Sequence, residues 1–288
     1  KIKKIAIDKN LHINLISNKN NHFQILSHEF QEYKQILQIK LKNLTHKVEL
    51  NLIGKIQLKN LLMAILAAIK SNIKIKKILK IIPKIKPIEG RFEKIGIVKN
   101  KSTVILDYAH TPDALKTCLM NIKEQFPHKK ISLVFGCGGN RDQNKRAKMG
   151  KIADNLADKI YLTDDNPRSE PSTKIRNDIK VGIKKQKILE LSNRDKAISK
   201  AVYELNTGEI LLVAGKGHET YQEIGIKKII FSDKTTILKA IKKKNLLLSN
   251  NQKINIIKEQ SGRYDVFPKN TLEKAQINSK EIKKNDIF

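Results

Sequence analysis

The chain has 288 residues, 40% of them hydrophobic, and a formal net charge of +30 from 58 Lys and Arg against 28 Asp and Glu. That length exceeds a typical single domain of roughly 100–200 residues and predicts two domains, or one plus fragments. A charge this large raises nucleic acid as a partner, but lysine is spread along the whole chain and aromatic residues for base stacking make up only 5%, so a solvated lysine surface is expected and nucleic-acid binding is not.

The longest apolar run, Leu61 to Ile69, falls well short of the roughly 20 residues that cross a bilayer, so no membrane partner is expected. No secretory h-region opens the chain, and a cytoplasmic location is the corresponding expectation. Cys118 and Cys137 are the two cysteines, without CxxC spacing, which indicates neither a disulfide framework nor a metal knuckle.

In chain order, "VELNLIGKIQLKNLLMAILAAIK" from Val48 predicts a strand, a glycine turn and a helix from about Leu58 to Lys70. Pro83, Pro87 and Gly90 then break helical periodicity, and a domain boundary is placed near Pro87. Beyond it, Ser102–Asp107, Ile131–Gly136, Lys159–Thr163 and Glu209–Gly215 are short β-branched or leucine-rich runs, the pattern of strands buried on both faces. Helical segments separate them. The clearest, "TPDALKTCLMNIKEQF", has Thr111 as N-cap, Pro112 at the first helical position, Asp113 complementing the dipole, and an apolar stripe of Leu115, Cys118, Leu119, Ile122 and Phe126. Alternating strand and helix predicts an α/β fold with a Rossmann-like, doubly wound, mostly parallel sheet.

In such a sheet the ligand sits beyond the carboxyl ends of the strands. All four runs end in polar sequence there: "DYAHTPD", "GCGGNRD", "DDNPR" and "GKGHE". Asp107 and His110 stand beside a helix N-terminus, which either receives an anion or is merely capped by Asp107. The glycines before Arg141 permit close backbone approach, and Arg141 offers a fork for a carboxylate or phosphate. Neither glycine-rich loop has G-x-x-x-x-G-K-[ST] or G-x-G-x-x-G spacing, so neither is a phosphate loop. In "DDNPR", Pro167 stiffens the turn after Asn166. Asp165 and Arg168 either pair with each other at the surface or together read the ammonium and carboxylate of an amino-acid head.

Taken together, "GRFE", "LDYAHTPDAL", "FGCGGNRDQNKR", "TDDNPRSE", "VAGKGHETYQ" and "FSD" resemble, in order and spacing from about Leu52 to Ala240, the carboxyl-terminal part of a Mur ligase of the kind that adds meso-diaminopimelate. The resemblance implies an ATP- and Mg²⁺-dependent amide-bond ligase acting on UDP-MurNAc-dipeptide and meso-diaminopimelate through an acyl phosphate. It places Arg91, Asp107, His110 and, more weakly, Asn60 at ATP. It places Arg141, Asp165, Asn166, Pro167, Arg168, Gly215 and Glu219 at the diaminopimelate.

In the family, the phosphate loop, the magnesium-binding modified lysine and the UDP-substrate contacts precede the part that this chain resembles. Residues 1–87 therefore resemble the end of a central ATP-binding domain, 88–245 the amino-acid-binding domain, and 246–288 a basic linker whose last part, Ile277 to Phe288, resembles the opening of a second Mur ligase. Asn140 replaces the aspartate usual in the family, a change expected to loosen Arg141. A lysine-adding ligase and a non-catalytic amino-acid-binding remnant are the alternatives that the sequence leaves open.

Overall fold

The computed structural model describes residues 9, 23–41, 44–184 and 188–261. Two compact units divide the chain at Lys242/Lys243, and the sheets all belong to the first.

That unit opens on an antiparallel meander of β1 (Phe23–Gln31), β2 (Lys34–Leu41) and β3 (Leu44–Leu50). Its inward residues Leu37, Ile39, Val48 and Leu50 pack on Leu58, Leu61, Leu62 and Ile65 of helix α1 (Lys55–Lys70) and on Ile82. Gly54 turns the chain into α1 at φ 81°, in the left-handed region that glycine occupies without steric cost. Helix α2 (Ile75–Ile81) and a single 3₁₀ turn at Ile82–Lys84 complete this part.

The larger sheet has the order β4–β5–β9–β6–β7–β8, from β4 (Glu93–Ile97), β5 (Thr103–Asp107), β6 (Ile131–Phe135), β7 (Lys159–Leu162), β8 (Ile188–Glu190) and β9 (Ile210–Ala214). Only β4 is antiparallel. The four runs expected as buried strands are β5, β6, β7 and β9, and β5, β6 and β9 are buried along their whole length.

Helices α3 (Pro112–Gln125), α4 (Asn144–Leu156), α5 (Ser172–Lys180) and α6 (Arg194–Glu204) make the crossovers. Ile105, Leu133, Phe135, Ile160 and Leu212 share one core with residues of α3, α4 and α5. The alternate positions Val104, Leu106, Val134, Leu211 and Val213 are equally buried and point to the other face, because side chains on a strand alternate. There α6 packs on β6, β7 and β9, so the sheet is covered on both sides as expected. Thr111 caps α3, its hydroxyl accepting from the Ala114 amide at 3.3 Å.

The two parts are joined at specific polar contacts. Gln125 of α3 accepts from the Gly54 amide at 2.7 Å and donates to the Glu32 carbonyl at 2.7 Å. Tyr33 and Thr103 share a hydroxyl hydrogen bond of 2.6 Å.

After β9 come a hairpin, β10 (Tyr221–Ile224) and β11 (Lys227–Ile230), and helix α7 (Asp233–Ser261). The stretch Leu246–Lys258, the start of the expected basic linker, lies inside α7, since it holds neither Pro nor Gly to stop the helix. Ile277 to Phe288 lie outside the described residues.

Candidate functional site

The sheet order brings the four polar strand ends together. β5 and β6 both flank β9, so "DYAHTPD" and "GCGGNRD" stand on either side of "GKGHE", with "DDNPR" after β7 completing the rim. A cavity of about 410 Å³ lies there, lined by His110, Thr111, Arg141, Lys145, Lys148, Asp165, Asn166, Arg168, Gly215 and Glu219 among others. It sits where the strand order reverses, the usual ligand position in open α/β sheets.

The floor is built from buried charge. Arg194, first residue of α6, grips Asp233, first residue of α7, through Nε at 2.8 Å and Nη2 at 2.7 Å, and both side chains are 0% exposed. Its Nη2 also donates to the Ala214 carbonyl at 3.0 Å, while Nη1 makes no hydrogen bond and faces the Asp165 carboxylate at 4.0 Å. Beside it, the fully buried Lys216 ammonium donates to Asn166 Oδ1 at 2.8 Å and Glu219 Oε2 at 2.7 Å. Asn166 Nδ2 donates to the same Glu219 oxygen at 3.1 Å, and Tyr108 donates to the other at 3.3 Å.

Three carboxylates, Asp165, Glu219 and Asp233, thus face two cations, Arg194 and Lys216, leaving one negative charge uncompensated when all are ionised. Burial pushes the Asp165 carboxyl up from its ordinary range, outweighing Arg194 and Lys216. Glu219 feels burial too, but the bonds from Lys216, Asn166 and Tyr108 hold it below the ordinary range.

The rim is cationic. Arg141 is exposed and engages no protein partner among the described residues, and Lys148 is likewise exposed, while Lys145 Nζ reaches the His110 carbonyl at 2.7 Å. Arg168 donates from Nη1 to the Gly139 carbonyl at 2.9 Å and pairs through Nε with Glu223 at 2.7 Å. A surface pair between Asp165 and Arg168, open from the sequence, does not form. Asp165 turns down toward Arg194, while Arg168, at φ 52°, turns toward the hairpin.

The glycine loop approaches the "DDNPR" loop so closely that a Cβ on Gly139 would collide with the Pro167 carbonyl. Arg146 beneath ties both loops, donating to the Gly138 carbonyl at 3.3 Å and pairing with Glu170 at 2.9 Å, while Asp178 of α5 pairs with it at 2.9 Å. Asn140 sits at φ 53° and exchanges hydrogen bonds with Ser169 at 2.8 and 3.0 Å. Its amide is thus spent on the neighbouring loop, and it makes no hydrogen bond to Arg141.

The residues placed by resemblance at ATP are less gathered. His110 and Arg91 both lie on the Tyr108 ring, at 4.6 Å each, and are exposed at the cavity's edge or beside it. Asp107 does not open onto the cavity: its carboxylate accepts from the Phe92 amide at 2.7 Å and the Cys118 thiol at 3.2 Å. Asn60 is exposed on α1 and Pro167 is buried, and neither lines the cavity. Among the described residues, no three His, Cys, Asp or Glu gather to hold a metal ion. Nor is any described helix long and apolar enough to cross a membrane.

Parallel sheet, switch-point cavity, anionic floor and cationic rim together define an α/β protein with a charged cavity at the carboxyl ends of its strands. Residues 90–217 match the family model described as Mur ligase, glutamate ligase domain, and this stretch of the chain is a Mur ligase carboxyl-terminal domain. It is 44% identical over 190 residues to the UDP-N-acetylmuramoyl-L-alanyl-D-glutamate–2,6-diaminopimelate ligase of Rickettsia felis, covering 66% of this chain and 35% of that protein. The ligase of the same name from Buchnera aphidicola subsp. Baizongia pistaciae is 46% identical over 195 residues, covering 67% and 38%. A solved structure of a ligase of that name superposes with a TM-score of 0.61 at 31% identity, over 84% of this chain and 50% of the other. The chain therefore spans well under half the length of these two curated relatives.

Proposed function

We propose that this chain is the amino-acid-binding part of an ATP-dependent acid–amino-acid ligase that adds meso-2,6-diaminopimelate to UDP-MurNAc-L-Ala-D-Glu, a step of peptidoglycan precursor synthesis in the cytoplasm. The observation that carries this reading is the uncompensated negative charge at the cavity floor beneath a cationic rim. An ammonium completes the floor beside Asp165 and Glu219, and the carboxylate next to it meets Arg168, with Arg141 beside it.

On this reading the diaminopimelate end held here is the one that does not react. The other amine is left to attack the activated substrate carbonyl, forming the amide, releasing phosphate and losing a proton. ATP supplies the phosphoryl group that makes the substrate carboxylate reactive, and Arg91 and His110 are the exposed side chains that would meet it. The contribution of these residues is chiefly positioning, which is worth several orders of magnitude when the attacking atom is held in line. The chain's sequence contains no G-x-x-x-x-G-K-[ST] loop, so amino-acid binding is the activity it performs by itself, and ligation requires residues outside it.

Calorimetry on the full chain with meso-diaminopimelate and L-lysine tests this. Wild type is expected to prefer diaminopimelate, and Arg168→Ala to weaken it by about 10–100-fold, the loss of a charge-assisted contact, while lysine binding changes little. Equal affinity for the two amino acids, or an indifferent Arg168→Ala variant, overturns the reading.

The floor also sets a pH dependence. Asp165 must be ionised to accept an ammonium, and burial has raised its pKa. Affinity for diaminopimelate is therefore expected to fall with acidification already above the ordinary carboxylate range, while Glu219, held low, stays charged. In the free protein the sign is opposite: a raised carboxyl binds its proton more tightly folded than unfolded, so this group's contribution to stability is present at low pH and is lost as pH rises through the folded value. Titrating affinity and melting temperature over the same pH range distinguishes the two trends.

A further inference from the structure

Glu223 lies outside every motif that marks the site, on strand β10, yet it holds the guanidinium that the site presents. Its Oε2 pairs with Arg168 Nε at 2.7 Å. On the adjacent side of the same fork, Arg168 Nη1 donates to the Gly139 carbonyl at 2.9 Å.

The backbones are joined as well. The Arg168 amide donates to the Glu223 carbonyl at 3.1 Å, the Gly225 amide donates to the Arg168 carbonyl at 2.8 Å, and Arg168 bridges Ile224. The Glu223 amide donates to Asn166 Oδ1 at 3.0 Å, and Gln222 Nε2 to the Asp165 carbonyl at 2.5 Å. The hairpin therefore fixes the loop through its main chain and fixes the arginine through one carboxylate.

We infer that Glu223 is a positioning residue for amino-acid selection: it and the Gly139 carbonyl occupy two edges of the Arg168 fork, so that the remaining Nη2 end faces the cavity ready for a ligand carboxylate. This rests on the proposed amino-acid site and adds to it the element that sets its selectivity.

Two effects of the carboxylate compete. Its negative charge opposes an incoming carboxylate, whereas its hydrogen bond removes the rotational freedom of a long side chain that is 26% exposed. Lys228, 3.9 Å from the other Glu223 oxygen, offsets part of that charge, and exposed charges are further screened by water and salt. Positioning acts at contact distance and prevails, because an arginine that must be ordered on binding loses side-chain entropy at that moment.

Glu223→Ala, Glu223→Gln and Arg168→Ala, made in the full chain, separate the alternatives. Calorimetry with meso-diaminopimelate is expected to show Glu223→Ala binding about tenfold more weakly, with lysine affinity unchanged. Glu223→Gln, which keeps an acceptor for Nε, recovers most of the loss. Unchanged unfolding midpoints are expected, since the hairpin is held by backbone bonds that both variants retain.

If Glu223→Ala binds diaminopimelate as well as or better than wild type while Arg168→Ala is weakened, the positioning role is overturned and the site stands. Equal loss for both amino acids in Glu223→Ala, or no recovery in Glu223→Gln, also overturns it. An Arg168→Ala variant indistinguishable from wild type overturns the amino-acid site itself and this role with it.

Discussion

Arg194→Ala is expected to destabilise the protein by about 3–5 kcal/mol, the cost of leaving a buried partner charge uncompensated. The size follows from what the guanidinium touches. Its side chain is inaccessible, and two of its nitrogens hold Asp233, equally inaccessible, at 2.8 and 2.7 Å. A third contact secures the Ala214 carbonyl at the end of β9. Removing the arginine leaves Asp233 without its cation and takes away the positive neighbour of Asp165, so two carboxylates face each other across an apolar gap.

In a folded unit of this size, thermal unfolding shifts by roughly 2–4 °C per kcal/mol, and a fall of about 6–20 °C is the expected reading. The double variant Arg194→Met, Asp233→Leu is expected to recover part of the loss, because an apolar pair of similar volume removes the stranded charge. It does not recover all of it, because Asp165 still lacks its neighbour. A loss below about 1 kcal/mol in Arg194→Ala would mean that water reaches Asp233, and the account of the floor would fail.

The strands that form the site were legible because they are buried on both faces. A strand such as Ile131–Phe135 or Ile210–Ala214 has no polar face to interrupt it, so it stands out as an apolar run. Edge strands carry no such mark. β4, "EKIGI", is half-buried and pairs on one side only, and β8 is three residues long. The β1–β3 meander hides its inward Leu37 and Ile39 among lysine and glutamine, and the sequence reading, which placed a strand only from Val48, passed over β1 and β2.

The polar strand ends were visible as four separate loops, but their adjacency depends on β9 inserting between β5 and β6, which no local pattern encodes. For the same reason Arg194, Lys216 and Glu223 were missed. Each acts through a partner 39, 50 or 55 positions away: Asp233, Asn166 and Arg168 respectively. The ion pair considered between Asp165 and Arg168 was a local guess of the kind sequence invites, and the tertiary partners Arg194 and Glu223 displaced it.

Gly215→Ala is expected to lose both stability and amino-acid binding, and the pair of effects locates Asp165 at the ligand. Gly215 has φ 120°, and a Cβ placed on it would lie 2.6 Å from Asp165 Oδ2. The backbone conformation alone costs an L-residue about 1–3 kcal/mol. The contact with Asp165 adds to this and is resolved only if the carboxylate moves, away from the position where it would accept an ammonium.

Gly208→Ala provides the control. That residue also has a positive φ, 76°, but nothing lies within 4 Å of its added Cβ, so it carries the backbone cost without touching the cavity. Unfolding and calorimetry on the two variants should therefore diverge. Gly208→Ala is expected to be less stable by about 1 kcal/mol with diaminopimelate affinity unchanged. Gly215→Ala is expected to be less stable by at least as much and to bind about 10–100-fold more weakly, as for a lost charge-assisted contact. Wild-type affinity in Gly215→Ala would show that the Asp165 carboxylate can move without consequence, and the ammonium would have to be held by Glu219 alone.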